Sequence, residues 1–185
     1  MGRAVSGVGR VIVGTSGSPG SLQALRYGER LARAHGAVLI PVLASDLPGG
    51  NYGERVQPSG ELRQAWRNLA CQRLTDALLA VWGETPNDPL VQPHIERGPP
   101  GWVLVNLACR SGDVLVVGAG RRGVLARMAF SKVSRYCLAH ARCPVLAIPP
   151  PALARELAHS RLARVFWHRP LTPEQILRDQ PKPAT

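Results

Sequence analysis

The amino-acid sequence predicts an α/β protein built on a single doubly wound sheet of five parallel strands. Short runs with almost no polar residue, such as Val-Leu-Val-Val at 114–117, are typical of strands covered on both faces of a parallel sheet. Along the chain, these runs alternate with longer segments that carry helix caps and helical spacing. The resulting alternation, β-α-β-α-β-α-β-α-β, favours parallel strands joined by crossover helices.

The first part of the chain is predicted to form a strand, a helix and a second strand. Residues 11–14 are the first apolar run, and Ser18 follows as the N-cap of a helix that Gly36 ends. Residues 37–43 form the second buried strand. Residues 44–60 are rich in Gly and Pro and leave the carboxyl end of that strand. A loop of this length within a domain is usually functional or mobile.

The remaining elements continue the same alternation. Pro93 predicts that the weak third strand lies at an edge of the sheet, because proline cannot donate a ladder hydrogen bond. The strands 11–14 and 113–117 are predicted to be the central pair. The elements expected in this part are helix 61–82, strand 91–97, helix 102–109, strand 113–117, helix 131–140 and strand 143–148.

The length of 185 residues suits one domain of about 150 residues followed by an extension. We expect an α/β domain over residues 1–150 and a helical or partly disordered C-terminal extension over residues 151–185, where the composition changes after three prolines. The N-terminus is a poor signal peptide, and no apolar run approaches the roughly 18–20 residues of a membrane span. The sequence therefore favours a cytoplasmic protein without membrane association.

The formal net charge is +11, from 21 Arg and 2 Lys against 12 acidic residues. Segment 118–142 holds six basic residues and no acid, and a field of that sign favours anions such as phosphates, nucleic acid or acidic partners. A solvated basic surface without a partner is the alternative interpretation. The six residues are Arg121, Arg122, Arg127, Lys132, Arg135 and Arg142.

The cysteines and histidines give no sign of a metal site. The four cysteines form no CxxC pair, and the five histidines show no spacing typical of metal ligands. Because the cysteines lie in apolar or helical patterns, we expect buried free thiols in a reducing compartment. They are Cys71, Cys109, Cys137 and Cys143.

Three glycines, Gly118, Gly120 and Gly123, follow the strand 113–117 and keep the next loop free of Cβ atoms. Their spacing matches a dinucleotide fingerprint, but that motif belongs to a first strand and needs an acid about 20 residues later in a βαβ unit. A Walker A loop is also excluded, because no Gly-Lys-Ser/Thr occurs. A glycine loop opening onto a helix N-terminus near Ser131 instead predicts a phosphate-bearing ligand at the carboxyl edge of the sheet.

Three segments in this order resemble the universal stress protein family. They are VIVGTSGSPGSLQAL from residue 11, GDVLVVGAGRRG from residue 112 and VSRYCLAHARCPVLAIP from residue 133. The resemblance covers residues 10–150 and rests on their joint occurrence. It implies a five-stranded parallel sheet of order 3-2-1-4-5 with four helices and homodimers formed through the last strand. In one branch of the family, it also implies ATP bound over the carboxyl edge.

The last strand, residues 143–148, has a physical reason of its own to pair with a second copy. Val145–Ile148 is apolar and lies at a predicted sheet edge, and a bare edge of this kind invites pairing with another chain. Pro144 removes one donor, and the three prolines from Pro149 limit the length of pairing. These prolines favour a closed homodimer over a fibre.

The ATP-binding branch of the family carries Gly-x-x-Gly, then nine residues, then Gly-Ser/Thr, with a further Ser/Thr two positions on. Aligned on this motif, the chain keeps the first glycine and the last hydroxyl but replaces two glycines. The residues that align with the motif, in order, are Gly118, Arg121, Ser131, Lys132, Val133 and Ser134.

The resemblance also implies contacts to the ribose and the base. Where the family has an Asp after the first strand, this chain has Ser16, and the adenine position at the end of the second strand is apolar Val42. We expect the base near Val42 and Thr15. The candidate nucleotide-binding residues are Thr15, Ser16, Val42, Gly118, Gly120, Arg121, Gly123, Ser131, Lys132, Val133 and Ser134.

Arg121 leaves two interpretations open. In the first, Gly120 and Gly123 restore the backbone freedom of the lost glycine, and Arg121, Arg122 and Lys132 hold phosphates through their side chains. In the second, Arg121 fills the cleft, and the chain resembles the branch of the family that does not hold ATP.

The sequence therefore favours a non-catalytic, cytosolic stress-response or regulatory protein with a degenerate ATP site. The alternative is a nucleic-acid or acidic-partner binding module with an Arg-rich surface, although no helix-turn-helix, zinc-finger or RNP-like pattern occurs. An enzyme acting on phosphates is less favoured. Asp46 alone is placed near the carboxyl edge, while Asp113 begins its strand at the opposite end. A slow nucleotide hydrolase stays open.

Overall fold

The protein follows the predicted alternation of strands and helices. The computed structural model describes residues 7–45, 60–120 and 132–151, so most of the expected C-terminal extension lies outside the described residues. The elements are β1 (Arg10–Gly14), α1 (Pro19–His35), β2 (Val38–Ser45), α2 (Gly60–Trp82), β3 (His94–Arg97), α3 (Pro100–Leu107), β4 (Asp113–Gly118), α4 (Lys132–His140) and β5 (Val145–Ile148).

The five strands form one parallel sheet in the order β3-β2-β1-β4-β5, which confirms the expected fold class and strand order. β1 and β4 are central neighbours, with Val11 opposite Val114. β3 and β5 lie at the two edges. Within the described ranges, no helix combines the length and apolarity that crossing a membrane would need.

Proline shortens both edge strands relative to the prediction. β3 begins at His94, directly after Pro93, and Val91 keeps only an isolated bridge to β2. β5 begins at Val145, directly after Pro144. Pro144 has no N–H to donate to β4. In the β2–β3 ladder the missing donor is Pro41 of β2, because the N–H of Gln92 donates to Leu39 and the nitrogen of Pro93 therefore faces the open side.

Helices cover both faces of the sheet, as a doubly wound fold requires. On one face, Val13 of β1 belongs to a core cluster with Leu25 of α1 and Trp66 of α2. On the other face, Ile12 of β1 belongs to a cluster with Leu104 of α3, to which α4 also contributes. Successive residues of β1 thus point into two separate cores, which explains why the strand has no polar face.

The ends of α1 lie where the sequence predicts them. Ser18 Oγ accepts a hydrogen bond from the N–H of Ser21 at 3.3 Å and caps the N-terminus. Gly36 takes a left-handed φ of 60°, and its N–H donates to the carbonyls of Ala32 and Arg33. These caps fix the length of the helix that connects β1 to β2.

The prediction that the cysteines are buried is wrong for two of them. Cys137 is fully buried and Cys143 is half-buried, but Cys71 on α2 and Cys109 after α3 are exposed. All four are free thiols. Burial raises the pKa of Cys137 to about 11, so this thiol is neutral at physiological pH. The apolar sequence around Cys71 and Cys109 did not indicate that these positions face solvent.

An ion pair joins the central strands at the amino edge of the sheet. Arg10 Nε donates to Asp113 Oδ1 at 2.8 Å, and Arg10 Nη2 donates to Asp113 Oδ2 at 2.7 Å. Nη2 also donates to the carbonyl of Leu107 at 3.0 Å, and the N–H of Arg110 donates to the same carboxylate at 2.7 Å. Asp113 is 2% exposed. The pair therefore binds β1, β4 and the end of α3 together.

Arg10→Met should lower the free energy of unfolding by about 3–5 kcal/mol at neutral pH, because it leaves the buried carboxylate of Asp113 without its partner. Urea denaturation measures this effect. Arg33→Met is the matched control. It breaks an exposed pair with Glu29, in which the Arg33 side chain is 73% exposed, and should cost less than about 1 kcal/mol.

The destabilisation by Arg10→Met should depend on pH. Burial by itself raises the pKa of Asp113, but hydrogen bonds from Arg10 and the N–H of Arg110 outweigh it, so the pKa lies below its ordinary value of 3.8. The stabilisation is therefore present above that value and is lost as the pH falls below it. If the difference in unfolding free energy between the wild type and Arg10→Met stayed constant down to about pH 3, this assignment would be contradicted.

Candidate functional site

The candidate site lies at the carboxyl edge of the sheet, where β1 and β4 end side by side. The direction of winding reverses between these strands, because β2 and β3 lie on one side of β1 while β4 and β5 lie on the other. Ligands of open α/β sheets usually bind in the crevice at such a reversal. Residues 15–18 after β1 and residues 119–120 after β4 border this crevice.

The turn after β1 is held by backbone and serine hydrogen bonds. Thr15 is 4% exposed, and its N–H donates to the carbonyl of Val42 at 2.7 Å, which ties the turn to β2. Ser21 Oγ accepts from the N–H of Ser16 at 3.2 Å and donates to the carbonyl of Ser18 at 2.9 Å. The exposed hydroxyl of Ser16 lies 3.0 Å from that of Ser18. The turn therefore presents a polar group at the edge on a fixed backbone.

Gly118, the last residue of β4, lies directly against the first turn of α1. A Cβ at this position would lie 2.7 Å from the carbonyl carbon of Gly20 and 3.0 Å from the backbone nitrogen of Ser21. Both are main-chain atoms, which cannot rotate out of the way as a side chain can. Packing alone therefore requires glycine here, whether or not a ligand binds.

The first turn of α4 is hydrogen-bonded to Gly118 as well. Ser134 is 0% exposed, and its hydroxyl donates to the carbonyl of Gly118 at 2.7 Å. The next residue of the loop, Ala119, donates its N–H to the carbonyl of Ile148 at 2.7 Å. Gly120 has a φ of 82°, a left-handed value that favours glycine. The end of β4 thus joins α1, α4 and β5.

The other predicted site residues differ in their exposure. Val42 is 1% exposed and belongs to the core between the sheet and α3, so its side chain is enclosed by protein. Lys132, the first residue of α4, is exposed, and Val133 is half-buried. The predicted residues outside the described ranges are Arg121, Gly123 and Ser131.

The described part of the crevice contains no acidic group. Neither of its two bordering turns carries an acid, and Asp113 lies at the opposite edge, as predicted. Within the same ranges, no three His, Cys, Asp or Glu side chains gather as metal ligands would. Two cavities lined by described residues lie elsewhere. One of about 280 Å³ is beside Trp82, and one of about 550 Å³ is between α2 and β3.

A comparison with protein families assigns the domain. The model of the universal stress protein family matches residues 7–149, which include every element of the described fold. The chain belongs to the universal stress protein family. This match confirms the family resemblance seen in the three sequence segments.

Solved structures of universal stress proteins have the same fold. UspA from Lactobacillus plantarum is 20% identical, with a TM-score of 0.55, over 77% of this chain and 99% of that chain. The protein from Archaeoglobus fulgidus is 20% identical, with a TM-score of 0.54, over 76% and 98%. A universal stress protein of that organism in complex with dAMP is 20% identical, with a TM-score of 0.50, over 76% and 97%. No curated protein matches this chain.

Ser21 is the site residue that the sequence prediction missed. It is 4% exposed, and its hydroxyl joins Ser16 to Ser18. The available signal was the spacing Ser-x-Ser-x-x-Ser at the start of α1, because serines beside a helix N-terminus commonly bond to the local backbone.

Gly118→Ala should lower the free energy of unfolding by about 1–3 kcal/mol, because the new Cβ meets backbone that moves only with α1. Gly20→Ala is the matched control on the other side of the contact. Its Cβ would lie 3.9 Å from Gly118 Cα, an ordinary distance, so it should be neutral or stabilise by up to about 1 kcal/mol. Urea denaturation without nucleotide measures both variants. If both variants lost the same unfolding free energy, the packing role of Gly118 would be contradicted.

Proposed function

We propose that this universal stress protein is a non-catalytic, cytosolic regulatory protein that binds an adenine nucleotide such as ATP in the crevice over β1 and β4. The observation that carries the proposal is the convergence of two helix N-termini at Gly118. This glycine packs on Gly20 in the first turn of α1, and its carbonyl accepts from Ser134 in the first turn of α4. Helix N-termini attract anions through their N–H groups and dipoles.

Two exposed side chains suit such a ligand. Lys132 begins α4 and supplies a cation for a phosphate, and the hydroxyl of Ser16 supplies a hydrogen bond on the ribose side. The Archaeoglobus fulgidus protein of the same fold was solved in complex with dAMP, which supports an adenine nucleotide over other phosphates.

The proposal assigns no catalysis, because neither described turn beside the crevice offers a carboxylate to hold Mg²⁺ or activate water, and Asp46, expected near this edge, lies outside the described residues. The alternative of a nucleic-acid or acidic-partner binding module gains no support from the comparisons. The family match and the structural likenesses described above are all to universal stress proteins.

Lys132→Gln should weaken ATP binding about tenfold, because a charge-assisted hydrogen bond to phosphate contributes about 1.5 kcal/mol. Isothermal titration calorimetry of the full chain measures the dissociation constants. Arg142→Gln is the matched control, since it removes one exposed positive charge beyond the other end of α4. An absence of binding by the wild type at millimolar ATP would refute the proposal, as would equal weakening in both variants.

We further propose that the protein forms a homodimer through β5. All four residues of this edge strand are only half-buried in the single chain. The carbonyl of Pro144 accepts a hydrogen bond from Leu115 of β4, and the carbonyl of Ile148 accepts one from Ala119, directly after β4. Because bonding alternates along a parallel strand, Val145 and Ala147 direct their N–H and C=O groups to the open side. An apolar edge with unpaired backbone groups favours pairing with a second copy.

Ala147→Pro should convert the dimer to a monomer, because it removes an N–H from the open side of β5. Multi-angle light scattering should then give the single-chain mass of 19.9 kDa in place of twice that value. Leu146→Pro is the contrasting control. It removes an N–H that faces β4 and should destabilise the fold itself. A monomeric wild type at micromolar concentration would show that β5 does not carry a dimer.

A further inference from the structure

An arginine-lined groove lies between α2 and the edge strand β3. It is an open cavity of about 550 Å³. We call it the arginine groove. The residues that matter for its chemistry are Arg63, Arg67, Cys71, Ile95, Glu96 and Arg97.

The sequence builds this groove from two regular patterns. Arg63, Arg67 and Cys71 follow one another at four-residue spacing, so they form a row along one side of α2. Ile95 and Arg97 alternate with Glu96 on β3 and share the face that packs towards α2. The lining groups therefore stand on a helix and a strand, which hold them in fixed relative positions.

A buried tryptophan fixes the helix against the sheet at this point. Trp66, between the two arginines of α2, is 6% exposed, and its Nε1 donates to Ser45 Oγ at the end of β2 at 3.1 Å. This anchor keeps Arg63 and Arg67 close to the edge of β3. The buried Trp66 thus lies at the base of the groove, and the arginines line its sides.

The described residues that line the groove carry more positive than negative groups. Three guanidinium groups from two elements line it, and the single acid among the lining residues is Glu96, whose Oε2 lies 3.2 Å from His94 Nε2. Arg63 and Arg97 also interact with other groups of the protein.

We propose that the arginine groove is a second anion site, which binds a small ligand carrying phosphate groups. Guanidinium groups match phosphate oxygens with two parallel hydrogen bonds, and Ile95 offers an apolar wall for the rest of the ligand. The site is separate from the proposed nucleotide crevice, because β3 lies beyond β2 from the central pair β1 and β4. Its occupancy does not require the nucleotide site to function.

The exposed thiol of Cys71 reports on this groove. Iodoacetamide and iodoacetate both alkylate a thiolate with loss of iodide, but only iodoacetate is an anion. At low ionic strength, the ratio of the iodoacetate rate to the iodoacetamide rate should be about threefold or more higher at Cys71 than at Cys109. Cys109 is an exposed internal control, located between α3 and the start of β4. It also lies beside an arginine, Arg110.

Pyrophosphate is the probe for occupancy. Millimolar pyrophosphate should slow the iodoacetamide labelling of Cys71 in the full chain about threefold or more, as followed by peptide mass spectrometry, and leave Cys109 unchanged. Protection of both thiols, or of neither, would overturn the proposal. This result is independent of ATP binding, so failure here and failure at the nucleotide crevice can be told apart.

Two double variants test the role of the arginines. The double variant Arg63→Gln with Arg67→Gln should bring the iodoacetate-to-iodoacetamide rate ratio at Cys71 down to that at Cys109. It should also abolish the protection of Cys71 by pyrophosphate. Arg26→Gln with Arg30→Gln removes the same charge from exposed positions on α1 and should leave both intact. Circular dichroism checks that each variant is folded. Protection that persisted in the folded Arg63 and Arg67 variant would show that these side chains do not bind the anion.

Discussion

The pairing of β1 with β4 is the constraint on which the other elements depend. The two strands come from distant parts of the chain, with Arg10 and Asp113 separated by 103 positions. A buried ion pair joins them at the amino edge, and at the carboxyl edge Gly118 of β4 packs against Gly20 in α1, the helix that follows β1. With this pair at the centre, β2 and β5 extend the sheet outwards on its two sides. The crevice then lies between the carboxyl ends of β1 and β4.

Much of the architecture could be predicted because it is specified by local patterns. A strand with no polar face must be covered on both sides, which gives the alternating fold. Ser18 and Gly36 mark the ends of α1 through the chemistry of their own backbone positions. The start of β5 also had a local signal, since Pro144 cannot donate within a ladder. The strand order came from the family resemblance.

The roles of the site residues could not be predicted in the same way, because they depend on contacts between distant segments. Gly118 matches a phosphate-loop glycine in the motif, but α1 already requires the absence of its side chain. Ser134 matches a ligand-binding hydroxyl, but its proton is used by a carbonyl of β4. The exposure of Cys71 and Cys109 likewise became visible only in the folded structure. A motif match combines packing and binding requirements, and the three-dimensional contacts separate them.

The hydrogen bond from Ala119 to Ile148 has a thermodynamic consequence for the protein as a whole. It joins the loop that borders the crevice to the strand at the open edge of the sheet. The proposed ligand binding at the crevice and the proposed pairing at β5 would therefore share one structural element. If occupancy favours assembly by some free energy, assembly must favour occupancy by the same amount, because coupling between binding equilibria is reciprocal. If both proposals hold, the fraction of dimer would rise and fall with the concentration of the ligand.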